Sequence, residues 1–275
     1  MKNKIYITGI VFSTLFCSSL FADKTEEFVK NILKKNPTIQ KILQVETVGR
    51  SNIGTHWYRD VVKINVVDST GSEHEEFIPV LTDGEYFSEN VYDEFGNPIA
   101  NKIVMPLDKL YKESSLIYAP EDRSKIKNRV AIFSDFECPF CNQKAPSELQ
   151  RFVDSDDTAI YYYNLPLTKI HPNSKNISLV AITAMQKYPD KKIDILYGMY
   201  AGKDFQYKDG EQKESLDSII TKYNSILPDY QITKKDVEKY KAKEILESDR
   251  AYSAKINVST TPTVFINGKR VIRTH

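Results

Sequence analysis

The sequence has no surplus of charge of either sign: 38 Lys and Arg stand against 37 Asp and Glu in 275 residues. With no basic excess to neutralise a phosphate backbone, nucleic-acid binding is excluded as the main activity. Cysteine is scarce, at positions 17, 138 and 141 only. That count rules out the disulfide framework that staples small secreted domains. Histidine is scarce too. His56, His74, His171 and His275 show no paired H-x-x-x-H spacing, so a zinc site at the two close cysteines lacks two ligands and no metal is expected. There is no internal repeat and no low-complexity tract. No apolar run reaches the roughly 20 residues of a spanning helix.

The longest charge-free run is at the start. Lys2 and Lys4 precede Ile5 to Phe21, and Leu20-Phe21-Ala22 ends on a small residue. The pattern predicts a secretory signal peptide cut after Ala22, and hence an exported, periplasmic protein. The alternative is an uncleaved anchor. A lipoprotein signal fits poorly, because Phe16 is bulky where a small residue should precede Cys17. Cleavage would remove Lys2, Lys4 and Cys17. Cys138 and Cys141 would then be the whole cysteine content, in an oxidising compartment.

What remains is ample for folding. Hydrophobic residues make up 41% and charged residues 27%, with 17 Tyr and 13 Phe for packed sheets and aromatic-lined grooves. The length suits two domains. Residues 23–105 read as a small α+β domain. Phe28, Ile32, Leu33, Ile39 and Leu43 give helical spacing over Thr25–Leu43, interrupted near Asn36-Pro37. Strands follow at His56–Val67, Phe77–Leu81 and Glu85–Tyr92, with turns at Ser69-Thr70-Gly71, Asp83-Gly84 and Gly96-Asn97-Pro98. Residues 106–128 read as a linker.

The second domain, 129–275, opens with a buried strand over Arg129–Phe136. A helix follows over Pro139–Phe152, then a strand over Thr158–Asn164. A mostly helical block runs to about Val258, and a hairpin follows, Thr263–Ile266, Asn267-Gly268, Val271-Ile272.

The chemical signal is Phe133-Ser134-Asp135-Phe136-Glu137-Cys138-Pro139-Phe140-Cys141, a C-x-x-C where a strand gives way to a helix. The first thiol sits at the helix N-terminus, where unpaired amides and the helix dipole favour a thiolate. The second lies one turn on, within reach of a short disulfide. Pro139 in the first turn loses nothing, since its missing N–H had no helical partner. The alternatives are a zinc half-site and two inert buried thiols.

These residues resemble the thioredoxin superfamily, and within it the bacterial Dsb-type thiol-disulfide oxidoreductases, over about 129–273. Cys138-Pro139-Phe140-Cys141 looks like their active-site motif. Ala145-Pro146 is similar to the kink in their active-site helix. Thr260-Thr261-Pro262-Thr263 resembles their cis-proline loop, and the block between Asn164 and Val258 looks like their helical insertion, with His171-Pro172 near its opening. His171 itself reads as a helix-start or surface residue. The resemblance implies a thioredoxin fold with a helical insertion and no cofactor beyond a redox-active Cys138–Cys141 disulfide. Cys138 would form the mixed disulfide and Cys141 resolve it. Thr261, Pro262, Pro139 and Phe140 would contact the substrate.

The DsbA branch carries a buried Glu six residues before the first cysteine, where this chain has Ile132. Asp135 and Thr261 are similar to the DsbC and DsbG pattern. Phe77–Phe87 with Asn90-Val91-Tyr92-Asp93 resembles the cystatin-like dimerisation domain of that branch. This implies a V-shaped homodimer acting on unfolded or misoxidised secreted proteins, recharged by a membrane redox partner. Oxidase, isomerase and reductase roles stay open, as do a holdase chaperone with a vestigial pair and a dedicated reductase in cytochrome maturation. The superfamily normally adds a helix after the last hairpin. The sequence ends a few residues after Val271-Ile272, so one sheet face is expected to expose apolar surface unless another segment replaces that helix.

Overall fold

The computed structural model describes residues 14–53, 56–88 and 110–271. The chain divides into two compact units, residues 1–103 and 104–275. The expected strand residues Asn90–Asp93, the turn at Gly96-Asn97-Pro98 and Ile272 lie outside the described residues. So do the first 13 residues of the expected signal peptide. Among the described residues no helix is long and apolar enough to cross a membrane.

The first unit packs one helix on a four-stranded antiparallel sheet. Helix α1 spans Thr14–Lys35 and runs unbroken through Ala22. Strands β1 (Ile39–Asn52), β2 (Tyr58–Asp68), β3 (Glu73–Thr82) and β4 (Phe87–Ser88) lie side by side in that order. Val29 and Leu33, one helical turn apart, meet Val45, Val62, Ile64, Val66 and Val80 in the core. Asp60 is fully buried, held by the Arg50 guanidinium on two oxygens and by the Thr25 hydroxyl at 2.6 Å. The helix expected over Thr25–Leu43 ends at Lys35, and Ile39 and Leu43 belong to β1 instead. The cause is Pro37, which disfavours helix for Asn36 and cannot donate within one. The α+β character of this unit is as expected.

The second unit is built on a five-stranded sheet ordered β5-β7-β6-β8-β9. Its strands are β5 (Leu116–Tyr118), β6 (Asn128–Ser134), β7 (Thr158–Asn164), β8 (Thr263–Ile266) and β9 (Lys269–Val271). β6 and β7 are parallel, joined by helix α2 (Pro139–Val153), and β8 runs antiparallel to β6. The last hairpin turns at Asn267-Gly268, both at positive φ. This is the turn an Asn-Gly pair favours. Within the stretch read as a linker, Leu116–Tyr118 is the edge strand against β7.

Central strands of such a sheet are buried on both faces, so their sequences read as continuous apolar runs. Val130, Ile132, Ile160, Tyr162 and Val264 point to one face. Helix α2 covers it together with α3 (Ser174–Lys187), α4 (Lys192–Ala201), α5 (Leu216–Ile226), α6 (Lys234–Lys239) and α7 (Ala242–Lys255). Ala131, Phe133, Tyr161, Tyr163 and Phe265 point to the other. That face is covered by other segments of the chain, one of the two outcomes left open by the sequence. Leu110, Tyr111, Tyr252 and Val258 pack on it, and the Tyr163 hydroxyl donates to the Leu110 carbonyl at 2.7 Å. Phe133 is 0% exposed and stacked on Tyr163 at 4.6 Å between ring centres. Burial of such a ring contributes roughly 1.5–3 kcal/mol.

Candidate active site

Strand β6 ends at Ser134, and the chain enters α2 through Asp135-Phe136-Glu137-Cys138. Cys138 is the N-cap residue, in extended backbone, and Pro139 takes the first helical position. The cap is made by sulfur. The Cys141 N–H donates to Cys138 Sγ at 3.3 Å. Asn142 Nδ2 donates to the carbonyls of Phe136 and Cys138 and fixes the turn from below. Pro146 lies within α2, which continues to Val153.

The loop before β8 closes over the pair. The Thr261–Pro262 peptide is cis, and the Cys138 thiol donates to the Thr261 carbonyl at 3.6 Å. Cys138, Cys141 and Thr261 are thus brought together. Pro262 borders a small cavity beside Cys141. Pro139 is exposed on the outer side of the helix start, and Phe140 is 58% exposed.

Both cysteines are free thiols, and both are buried, at 3% and 1% exposure. Solvent access does not separate them; acidity does. The Cys138 thiol is pushed down to about 6. The largest cause is the hydrogen bond from the Cys141 thiol. Burial opposes it, and the Thr261 side chain and the Cys141 amide add to the lowering. The Cys141 thiol is pushed far up, first by burial and then by its bond to Cys138. One sulfur is poised as a thiolate at neutral pH and the other is held protonated. This is the division that nucleophilic attack followed by resolution requires.

A buried polar cluster supports the cap. Asp135, fully buried, accepts from the Glu137 N–H at 3.0 Å, the Leu167 N–H at 2.8 Å and His171 Nδ1 at 2.7 Å. His171, expected at a helix start or on the surface, is only 5% exposed. It lies three residues before α3, and Asp135 is what makes its burial tolerable. Burial alone would lower its pKa, but the hydrogen bond and charge of Asp135 outweigh that, with Cys138 adding to the rise. The influence is mutual, so a protonated His171 favours a Cys138 thiolate.

Glu137 is fully buried as well. One oxygen accepts from the Asn173 N–H at 2.7 Å, and Oε1 has no hydrogen-bond partner. Burial first, then the charges of Asp135 and Glu211, push its carboxyl up to about 7. An acid whose pKa rises on folding stabilises the fold below its ordinary value of 4.5 and loses that contribution as pH climbs through about 7. The full swing is about 3 kcal/mol, at 1.36 kcal/mol per pH unit. Glu137→Gln is therefore expected to flatten the fall in stability between pH 4.5 and 7 and to be the more stable protein above pH 7. Urea melts across that range check it, and an unchanged slope would remove Glu137 from the cause.

A thioredoxin family model matches residues 123–275, more than half of the chain. The chain belongs to the thioredoxin family. It is 26% identical over 147 residues to the probable disulfide bond formation protein D of Bacillus cereus, a match covering 51% of this chain and 65% of that protein. It is 25% identical over 141 residues to a protein named Na(+)/H(+) antiporter NhaA 3 of Salinispora tropica, covering 51% of this chain and 20% of that one. The chain thus spans less than two thirds of each relative's own length. The solved structure of oxidised BdbD from Bacillus subtilis is 19% identical with a TM-score of 0.47, covering 59% of this chain and 86% of that one. The expected thioredoxin fold with a helical insertion, and the resemblance to Dsb-type proteins, are borne out. Among the described residues of this thioredoxin-family chain, no cluster of three or more His, Cys, Asp or Glu is arranged to hold a metal ion.

Sequence reading missed part of this site. His171 meets Asp135 across 36 positions, and Asn173 meets Glu137 across another 36. Only Asp135, three residues before Cys138, gave a local signal.

Proposed function

We propose that the chain is an exported thiol-disulfide oxidoreductase acting on disulfides of secreted proteins. The observation that carries this reading is the split acidity of the pair, with Cys138 near 6 and Cys141 far above its ordinary value, under the Thr261 carbonyl. The Cys138 thiolate attacks a client disulfide and forms a mixed disulfide. Cys141 then attacks Cys138 and releases the client as a thiol. In the opposite direction a client thiolate attacks Cys138 of the oxidised pair, and Cys141 leaves as the thiolate. A second client thiolate then displaces Cys138, so the client departs with a new disulfide and the pair is reduced. An extended client strand pairs with the Thr261 backbone beside Pro262, and the exposed Pro139 and Phe140 provide its apolar contact. The disulfide-bond-formation relative supports the reading.

The Cys138 thiol is held well below its ordinary value. A more stable thiolate favours the dithiol form, so the pair is expected to be more oxidising than an unperturbed dithiol. Iodoacetamide titration of the reduced chain is expected to label Cys138 first below pH 7. Cys141 labelled first, or both unreactive at pH 7, would end this assignment. The first unit serves as a dimerisation module, as the resemblance of Phe77 to Asp93 implies. Light scattering of the full chain should give a homodimer, and a monomer would exclude it. Isomerase action on scrambled clients goes with that dimer, and recharging falls to a membrane redox partner.

A further inference from the structure

Resolution sets a problem that the fold must solve. The Cys141 thiol has to lose a proton, yet it is 1% exposed and burial holds the proton on. Ile132, the strand residue six positions before Cys138, is apolar and offers no base. Hydroxyl groups lie there instead. Ser134 is 2% exposed and borders the same small cavity as Cys141. Its Oγ is 2.7 Å from the Tyr200 hydroxyl, which is 2.8 Å from the Tyr162 hydroxyl. Tyr200 is fully buried and clamped by Phe136, 4.7 Å away between ring centres. The three hydroxyls and Cys141 border one cavity of about 30 Å³, with Glu148 and Lys144 on the same lining. Most of the exposed lining is apolar, from side chains such as Leu149, Phe152 and Val264, so the hydroxyls themselves, in contact with one another, are the polar route through it. Lys144 is exposed and Glu148 half-buried, so the cavity leads outward. Burial keeps both tyrosines protonated well past neutrality, so they relay a proton by donating and accepting at once rather than by ionising.

We propose that Ser134, the Tyr200–Tyr162 hydroxyl pair and the adjoining cavity form a proton path that takes the Cys141 proton outward to the Glu148 carboxylate during resolution. The path rests on the reading of the pair as redox active. The step balances as follows. Cys141–SH gives its proton to Ser134 while Ser134 passes its own onward. The Cys141 sulfur attacks Cys138 and forms the Cys138–Cys141 bond, and the Cys138–client S–S bond breaks. The client sulfur leaves with that electron pair as a thiolate, so the client is reduced, the pair is oxidised, and no further oxidant is needed. When the pair is the oxidant, the same path returns a proton to Cys141.

The test mixes reduced full-length protein rapidly with dithiobis-nitrobenzoate and follows release of the coloured thiolate. The first equivalent reports attack by Cys138 and the second reports resolution by Cys141. Ser134→Ala is expected to leave the first phase within about twofold and to slow the second at least about tenfold at pH 7, a threshold set below the roughly 10²–10⁴-fold that positioned proton transfer contributes. The gap should close toward pH 9, where hydroxide takes the proton directly, and the solvent deuterium effect on the second phase should change. Tyr200→Phe should slow the same phase alone. If either variant also slows the first phase, Glu148→Gln decides: a slower second phase with a shifted pH profile supports the path, and an unaltered one overturns it. A Ser134→Ala second phase within about twofold of wild type at every pH overturns the path but leaves the redox reading standing. A wild-type protein that releases no second equivalent overturns both.

Discussion

Cys138→Ser is expected to abolish disulfide exchange, and Cys141→Ser to arrest it halfway. The asymmetry comes from the geometry of the cap. Cys138 Sγ receives the Cys141 N–H at the start of α2, and a serine hydroxyl there would not ionise near neutrality. Loss of the attacking group should cost on the order of a thousandfold or more. Cys141→Ser leaves the attacking sulfur in place and keeps a side-chain donor beside it, now a hydroxyl. Cys138 should still attack, but with no second sulfur to displace the client it should accumulate as a client-bound mixed disulfide. Non-reducing gels of client mixtures, with mass spectrometry of the adduct, check both halves. Clean turnover by Cys141→Ser would show that Cys141 does not resolve the complex.

Asp135→Ala should be among the most destabilising single changes in the second unit. Its carboxylate serves the Glu137 and Leu167 amides and the His171 ring, all within 3.0 Å. Removal strands these donors, with His171 buried and unpaired, and about 3–5 kcal/mol should be lost. The pH dependence has a definite sign. His171 is raised on folding, so its contribution is complete below its ordinary value of about 6.5 and fades as pH rises through its folded value. The gap between wild type and Asp135→Asn should therefore narrow on the alkaline side. Chemical denaturation at pH 6 and pH 9 measures it, and a loss below about 1 kcal/mol for Asp135→Ala would rule out the pairing.

The parts of this molecule that were legible in the sequence are those with unbroken local patterns. β6 and β7 are apolar on both faces and announce themselves as runs, and C-x-x-C after such a run places the helix start. β1 was not legible. Its pairing with β2 shifts register near Ile39, Ile42 and Thr47, and each irregularity breaks the alternation by which a strand is recognised. What remained of the pattern imitated helical spacing. The Ser134–Tyr200 contact joins residues 66 positions apart, and Tyr200 lies in a helix of otherwise ordinary core residues. Hydroxyls of that kind carry no sequence signature, because Tyr and Ser serve packing and turns far more often than proton transfer.

The cover over the second sheet face has a practical meaning for anyone isolating the reactive half of the chain. Leu110 and Tyr111 roof Phe133 and Tyr163, and the Gly268 amide of the last hairpin donates to the Tyr111 hydroxyl at 2.7 Å. Motif reading would begin this half at residue 129. An excised fragment starting there would be missing its ceiling, its edge strand and one tether of its final hairpin. The portable unit is accordingly longer than its motif suggests, and must be cut upstream of Leu110.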